Sequence, residues 1–299
     1  MRSSALALIV VAIALTAPAE NSSPSVSPDG KRIAFISDRD GTSDIYVMAA
    51  DSSHVVRVTN TAEKEWPVQW SSDGSVLFGV ADKDSSRLFE AKKTVTQIGT
   101  VPGRAVRFSD DGRRVLYALG TWTEVQLMES DLDGSHARQL TDGKSVVWSP
   151  RWSPNGRRIA FTGRDANQHL HIYLMNADGT DLHQLTHLEA EGNAQSPAWS
   201  RDGRRIAIQV SKNKSAHIWI VDAQSGSGRK LASHDEVFLD ETPSWFPNGK
   251  RLAFQSTRSG AMEIWTMNAD GTKVRQVRSS WRAATAGERR VGLDANGRQ

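Results

Sequence analysis

The sequence predicts an all-β fold made of one four-stranded antiparallel unit repeated six times, and three observations carry that prediction. An aromatic-Ser-x-Asp/Asn-Gly run recurs with its glycine at Gly30, Gly74, Gly112, Gly156, Gly203 and Gly249, at spacings of 44, 38, 44, 47 and 46 residues. Each run is followed by two short apolar strands, and often by a closing Leu-Thr. Apolar residues fill successive positions in these strands rather than alternate ones, the pattern of a sheet covered on both faces. A repeat length in the forties with several short strands per repeat is the mark of a six-bladed β-propeller, one blade per repeat.

The elements of one copy can be justified in order. Ser196-Pro197-Ala198-Trp199-Ser200 is a short extended run, and Arg201-Asp202-Gly203 turns the chain, because Asp-Gly readily supplies the positive φ of a tight hairpin. Arg205 to Val210 returns as the second strand, Ala216 to Val221 is the third, and Lys230-Leu231-Ala232 is the fourth. The same turn recurs as Pro28-Asp29-Gly30, Ser72-Asp73-Gly74, Asp111-Gly112, Pro154-Asn155-Gly156 and Pro247-Asn248-Gly249. Ala177-Asp178-Gly179-Thr180 and Ala269-Asp270-Gly271-Thr272 form a second family of hairpins, between strands three and four. Trp70, Trp152, Trp199 and Trp245 share one repeat position, held by Val26 and Phe108 in the other two copies. A buried aromatic covers roughly 150–250 Å², so these residues are expected to pack blade against blade.

The ends read differently. Arg2, the apolar stretch Ala5–Leu15 and the small-x-small triplet Ala17-Pro18-Ala19 have the form of a secretory signal over residues 1–19. The expected division is therefore a signal peptide at 1–19, the propeller at 20–278 and a basic tail at 279–299. The expected location is periplasmic or secreted. The apolar stretch is short for a bilayer span, and nothing later is longer, so no stable membrane insertion is expected. The chain has no cysteine, which removes disulfides, a thiolate nucleophile, cysteine-ligated zinc and a lipid-modified cysteine. Its 37 basic against 34 acidic residues are near balance, without the footprint of a nucleic-acid binder.

The run Pro150-Arg151-Trp152-Ser153-Pro154-Asn155-Gly156-Arg157-Arg158-Ile159-Ala160-Phe161, continued by Ile172-Tyr173-Leu174-Met175, Asp178-Gly179-Thr180 and Leu185-Thr186, resembles the TolB-type WD-like propeller repeat. The resemblance covers the propeller alone, without the α/β domain that precedes it in TolB. It implies a periplasmic scaffold that binds an envelope lipoprotein over its propeller mouth. The same propeller precedes an α/β-hydrolase domain in prolyl oligopeptidase-like enzymes, but no Gly-x-Ser-x-Gly elbow occurs here.

In a propeller the connections from strand four to strand one, and from strand two to strand three, gather at one mouth of the channel. Those loops contain Glu63, Glu65, Trp66, His187, Glu189, Glu191, His234, Asp235, Asp240 and Glu241, which are the candidate partner-binding residues. Carboxylates converging on one opening suit a basic partner segment or a divalent cation such as calcium. No catalytic set, metal-ligand set or required cofactor is identified. Asp38-Arg39-Asp40-Gly41 and Asp131-Leu132-Asp133-Gly134 echo the start of a calcium loop but do not continue as one, so they read as turns. His169 and His171 lie two apart on a strand, without a third ligand close in sequence. The expected function is that of a monomeric, exported, non-catalytic scaffold for a protein or envelope partner. The alternatives are a metal-assisted polysaccharide lyase or hydrolase, for which His187, His234 and nearby carboxylates must converge, and a sensor domain separated from a larger protein.

Overall fold

The computed structural model describes residues 19–121, 125–143, 147–231 and 237–277. They form six four-stranded sheets, each an antiparallel meander of consecutive strands. Blade 1 is β1–β4 (Asn21–Val26, Arg32–Ser37, Asp44–Ala49, Val56–Arg57) and blade 2 is β5–β8 (Glu65–Trp70, Val76–Ala81, Ser86–Ala91, Val95–Val101). Blade 3 is β9–β12 (Arg104–Phe108, Arg114–Gly120, Val125–Asp131, Arg138–Gln139) and blade 4 is β13–β16 (Val147–Trp152, Arg158–Arg164, Leu170–Asn176, His183–Gln184). Blade 5 is β17–β20 (Asn193–Trp199, Arg205–Lys212, Ser215–Asp222, Gly228–Lys230) and blade 6 is β21–β24 (Asp240–Trp245, Arg251–Ser256, Glu263–Asn268, Arg275–Gln276). The expected propeller is thus the observed one. Most of the expected leader and the basic tail, together with His234 and Asp235, lie outside the described residues.

The recurring motif residues each close a particular bond. In the first hairpin the Gly156 amide donates to the Ser153 carbonyl at 2.8 Å and the Arg158 amide to the Ser153 hydroxyl at 2.9 Å. The closing Leu-Thr fixes strand four to strand three. The Leu185 amide donates to the Ile172 carbonyl, while the Thr186 hydroxyl accepts from the Ile172 amide at 2.9 Å. Thr59 and Thr141 repeat this bond with Ile45 and Leu127. Gly226 adopts φ +70° with its α-carbon pressed against the neighbouring blade. A β-carbon there would stand 2.0 Å from the Leu185 carbonyl oxygen, so only glycine fits.

The apolar core is divided into six clusters, one at each joint between blades. The tryptophans lie in these joints and do more than fill space. The indole N–H of Trp70 donates to the Ser25 carbonyl of the preceding blade at 2.9 Å, that of Trp199 to Arg151 at 3.2 Å and that of Trp245 to Ala198 at 3.0 Å. An arginine of the preceding blade stacks on each ring: Arg32 on Trp70 at 4.4 Å, Arg158 on Trp199 at 5.0 Å and Arg205 on Trp245 at 4.8 Å. The same arginines reach the Gly74, Gly203 and Gly249 carbonyls of the next turn. Arg114 stacks on Trp152 at 5.5 Å, but the Trp152 indole nitrogen is buried without a partner.

Where the tryptophan is absent, a side chain of the preceding blade takes over its bond. The Gln69 amide donates to the Phe108 carbonyl at 2.7 Å and accepts from the Phe108 amide at 3.3 Å. The Ser244 hydroxyl accepts from the Val26 amide at 3.1 Å. The latter bond belongs to the closure of the ring, where β1 meets blade 6. The Asn21 amide donates to the Met262 carbonyl at 2.8 Å, and the Asn21 side chain donates to Glu263 at 2.7 Å. Among the described residues no strand is exchanged between the first and last blades.

Trp199→Phe keeps one aromatic ring in the joint but loses the indole bond and part of the packed surface, so it should cost about 2 kcal/mol. Trp199→Ala also leaves a cavity and should cost about 3–5 kcal/mol. Urea denaturation of the two variants measures both, and equal losses would contradict the separate contributions assigned here.

Candidate functional site

The two hairpin families lie at one end of the ring, which leaves the longer connections at the other. Each inner strand is bulged near this loop-bearing end, with register shifts between Ser22 and Ser25, Glu65 and Val68, Trp148 and Arg151, Gln195 and Ala198, and Glu241 and Ser244. Blade 3 shifts opposite Leu116 and Ala118. Ser23, Ala105, Ser149, Ser196 and Thr242 take positive φ at these bulges, between 46° and 55°. That conformation costs a non-glycine residue about 1–2 kcal/mol, and neighbouring blades hold it in place. Gln255 accepts from the Ser23 amide at 2.8 Å and Thr162 from the Ser196 amide at 3.2 Å. A bulge re-aims the residues beside it. The position four before the joint residue, at the loop-bearing end, carries Ser22, Trp66, Arg104, Trp148, Gln195 and Glu241 around the ring.

The residues expected from sequence sort into several environments. Trp66 is 42% exposed, and the Arg107 guanidinium of the next blade lies 4.2 Å from its ring centre. Glu63 is exposed and pairs with Arg87 at 2.5 Å. His187 is exposed 3.1 Å from the Gln184 amide, and Glu191 is exposed on the same loop. Glu241 accepts from Gln209 at 3.1 Å and from Gln255 at 3.0 Å, joining blades 5 and 6 at the rim. Glu65 and Asp240 are turned inward. Asp240 is buried against Arg258 at 2.7 Å and Ser256 at 2.7 Å, and Glu65 is buried against the hydroxyls of Thr59 and Thr61.

Glu189 extends over blade 4, where its Oε1 stands 3.6 Å from His171 Nε2, and Asp165 Oδ2 stands 3.3 Å from the same nitrogen. Sequence reading left His171 with His169 alone, because its carboxylate neighbours come from two different loops. Asp38 and Asp131 open simple turns, closed by the Gly41 and Gly134 amides.

Inside the ring, toward the hairpin end, lies a cavity of about 420 Å³ lined by inner-strand residues including Arg151, with Asp110 and Arg201 at its margin. Burial alone brings the Arg151 guanidinium down to about 10. Asp110 keeps solvent contact, yet the surrounding strands push its carboxyl up against the opposing pull of Arg201.

A ring of six meander blades, bonded at one end and presenting bulged inner strands and loops at the other, defines a propeller of the repeat type expected above. The TolB beta propeller domain matches residues 12–118 and 113–291, and the chain belongs to that family. Among curated proteins, the uncharacterized protein Atu1656 of Agrobacterium fabrum is 29% identical over 180 residues, 55% of this chain and 61% of that protein. The uncharacterized peptidase YuxL of Bacillus subtilis is 26% identical over 160 residues, 51% of this chain and 24% of that one. The chain thus spans less than two thirds of these relatives. The structure of TolB from Acinetobacter baumannii superposes with a TM-score of 0.64 at 18% identity, over 85% of this chain and 61% of that one. An oligogalacturonate lyase in complex with manganese superposes with a TM-score of 0.58 at 14% identity, over 86% and 77%. These two likenesses concern the fold.

Burial raises the Glu65 carboxyl above its ordinary 4.5, outweighing the Thr59 and Thr61 hydroxyls that favour the charged form. The folded state then holds this proton more tightly than the unfolded chain does. Its contribution is full below pH 4.5 and is lost as pH rises through the raised value. Glu65→Gln cannot ionise, so its stability relative to the parent should improve as pH rises from 4.5 to 7. Urea midpoints across that range measure this, and a pH-independent difference would refute it.

Proposed function

We propose that this chain is an exported, non-catalytic scaffold that binds a protein or cell-envelope partner at the loop-bearing mouth of its propeller. The observation that carries the reading is Trp66. A large aromatic 42% exposed on a rigid inner strand, with a guanidinium stacked on its other side, is the kind of anchor that dominates protein interfaces. Glu63, His187 and Glu191 add polar, adjustable contacts on the loops of the same end. Family membership supports the reading, since one of the fold neighbours is TolB itself. Export rests on the leader-like residues 1–19. No helix among the described residues is long and apolar enough to cross a membrane.

A second reading, a metal-assisted polysaccharide lyase or hydrolase, draws on the likeness in fold to the manganese-bound lyase. Turnover of an acidic oligosaccharide by the purified chain would favour it.

The test of the scaffold is affinity capture from the native envelope extract with the full chain and with Trp66→Ala. A near-stoichiometric partner retained by the parent should be lost, or reduced at least tenfold, with the variant. Equal recovery by both proteins would remove Trp66 from the interface, and absence of any partner would move the function to a small ligand.

A further inference from the structure

We propose that Asp165, His171 and Glu189 form a binding site for a divalent transition cation, Zn²⁺ or Mn²⁺, at the loop-bearing end of blade 4. The three donors come from separate segments. Asp165 lies in the connection between β14 and β15, His171 is the second residue of β15, and Glu189 lies in the loop that leads to blade 5. One donor atom from each falls within 4.8 Å of the others. Metal–nitrogen and metal–oxygen bonds near 2.1 Å in tetrahedral geometry place ligand atoms about 3.4 Å apart. The separations of 3.3 Å and 3.6 Å from His171 Nε2 to the two carboxylates bracket that value.

The site is held before any ion arrives. His171 is fully buried, so its ring cannot turn away. Asp165 accepts the amides of Asn167 at 2.9 Å and His169 at 2.8 Å through Oδ1, which leaves Oδ2 facing the imidazole.

Of the four buried carboxylates among the described residues, Asp44 has Arg57, Glu129 has Arg114 and Arg138, Asp240 has Arg258, and Glu65 has threonine hydroxyls. Asp165 is partly buried and Glu189 exposed, which leaves an approach for an ion from solvent. Among the described residues, Asp165 and Glu189 have only imidazoles within ion-pair distance. A neutral imidazole offers one Nε2–H to two carboxylates and can satisfy only one. A cation on Nε2 satisfies both. Binding moves the ring proton to Nδ1, which is buried without a partner, and that cost tempers the affinity. His169 Nδ1 stands 3.8 Å from Asp165 Oδ2 but lies outside the three-donor cluster, so water completes the coordination of a bound ion.

An imidazole with carboxylates suits zinc or manganese. Calcium takes six to eight oxygen ligands and is poorly served by this set. A bound ion would tie the loop at residues 187–192 to blade 4 and stiffen one arc of the mouth. The inference does not depend on the partner-binding reading, and its test needs no partner.

The experiment is calorimetric titration of the full chain, prepared without a polyhistidine tag, with Zn²⁺, Mn²⁺ and Ca²⁺, and metal analysis after dialysis. One equivalent of Zn²⁺ or Mn²⁺ should bind, with calcium at least tenfold weaker. Glu189→Gln and Asp165→Asn should each weaken binding tenfold or more, whereas His136→Gln, on exposed blade 3 surface, should leave it unchanged. Glu189 is exposed and Asn preserves the Asp165 turn, so both variants are expected to fold. Absence of a saturable equivalent, equal affinity in the two carboxylate variants, or tighter binding of calcium would overturn the assignment.

Discussion

The joint between neighbouring blades is the interaction on which the rest of this structure depends. An isolated four-stranded meander with apolar residues on both faces cannot stay in water, and each blade is buried only by the next. Trp70, Trp199 and Trp245 each donate the indole N–H to the inner strand of the blade before, while an arginine of that earlier blade covers the ring and reaches the next hairpin. These directional bonds fix the angle at which apolar sheets meet, which packing alone leaves loose. Gln69 and Ser244 show the same requirement from the other side. Where Phe108 and Val26 lack an indole, a polar side chain restores a bond across the joint.

This arrangement commits one end of the ring to structure. The Ser-x-Asp/Asn-Gly turns, the stacked arginines and their glycine carbonyls all lie at the hairpin end, and their chemistry is repeated with little change. The opposite end has no such obligations. The corresponding position of its bulged inner strands carries five residue types in six blades, from Ser22 through Trp66 and Trp148 to Glu241, and its loops vary in length and charge. Differences among relatives of this fold can therefore accumulate at the mouth without loosening the ring.

Charge is handled differently from place to place in the ring. Acidic residues near the blade edges are neutralised locally, as Asp240 is by Arg258 and Glu129 by Arg114 and Arg138. Glu65 is kept by threonine hydroxyls and the Ile45 backbone, without a guanidinium, and burial leaves it with a raised carboxyl. Asp165 and Glu189 face each other across one buried imidazole. In the channel, Arg151 is partly buried beside the cavity, with no ion pair to it among the described residues.

The blade count, the hairpins and the tryptophan positions were legible in the sequence, because the turns rest on local chemistry repeated six times and the tryptophan on chemistry repeated four times. The Asp-Gly turns need positive φ, the strands need two apolar faces, and the joint needs one large aromatic. The arginine two residues after most hairpin glycines was equally visible, but its stacking partner is a blade away and could not be read from one repeat. The mouth was legible only in outline. Loop position grouped Glu63, Trp66, His187, Glu189 and Glu191 with Glu65 and Asp240, and only the folded chain separates the last two, which are buried. His171 illustrates the limit most clearly. Its carboxylate neighbours are 6 residues before it and 18 after it in sequence, and only the return of the chain from blade 4 toward blade 5 sets them on one nitrogen. Periodicity determined the ring, because repetition is a property of sequence. Which side chains meet at its mouth was decided by the curvature of the ring and the bulges of its inner strands, which bring together residues that no local rule connects.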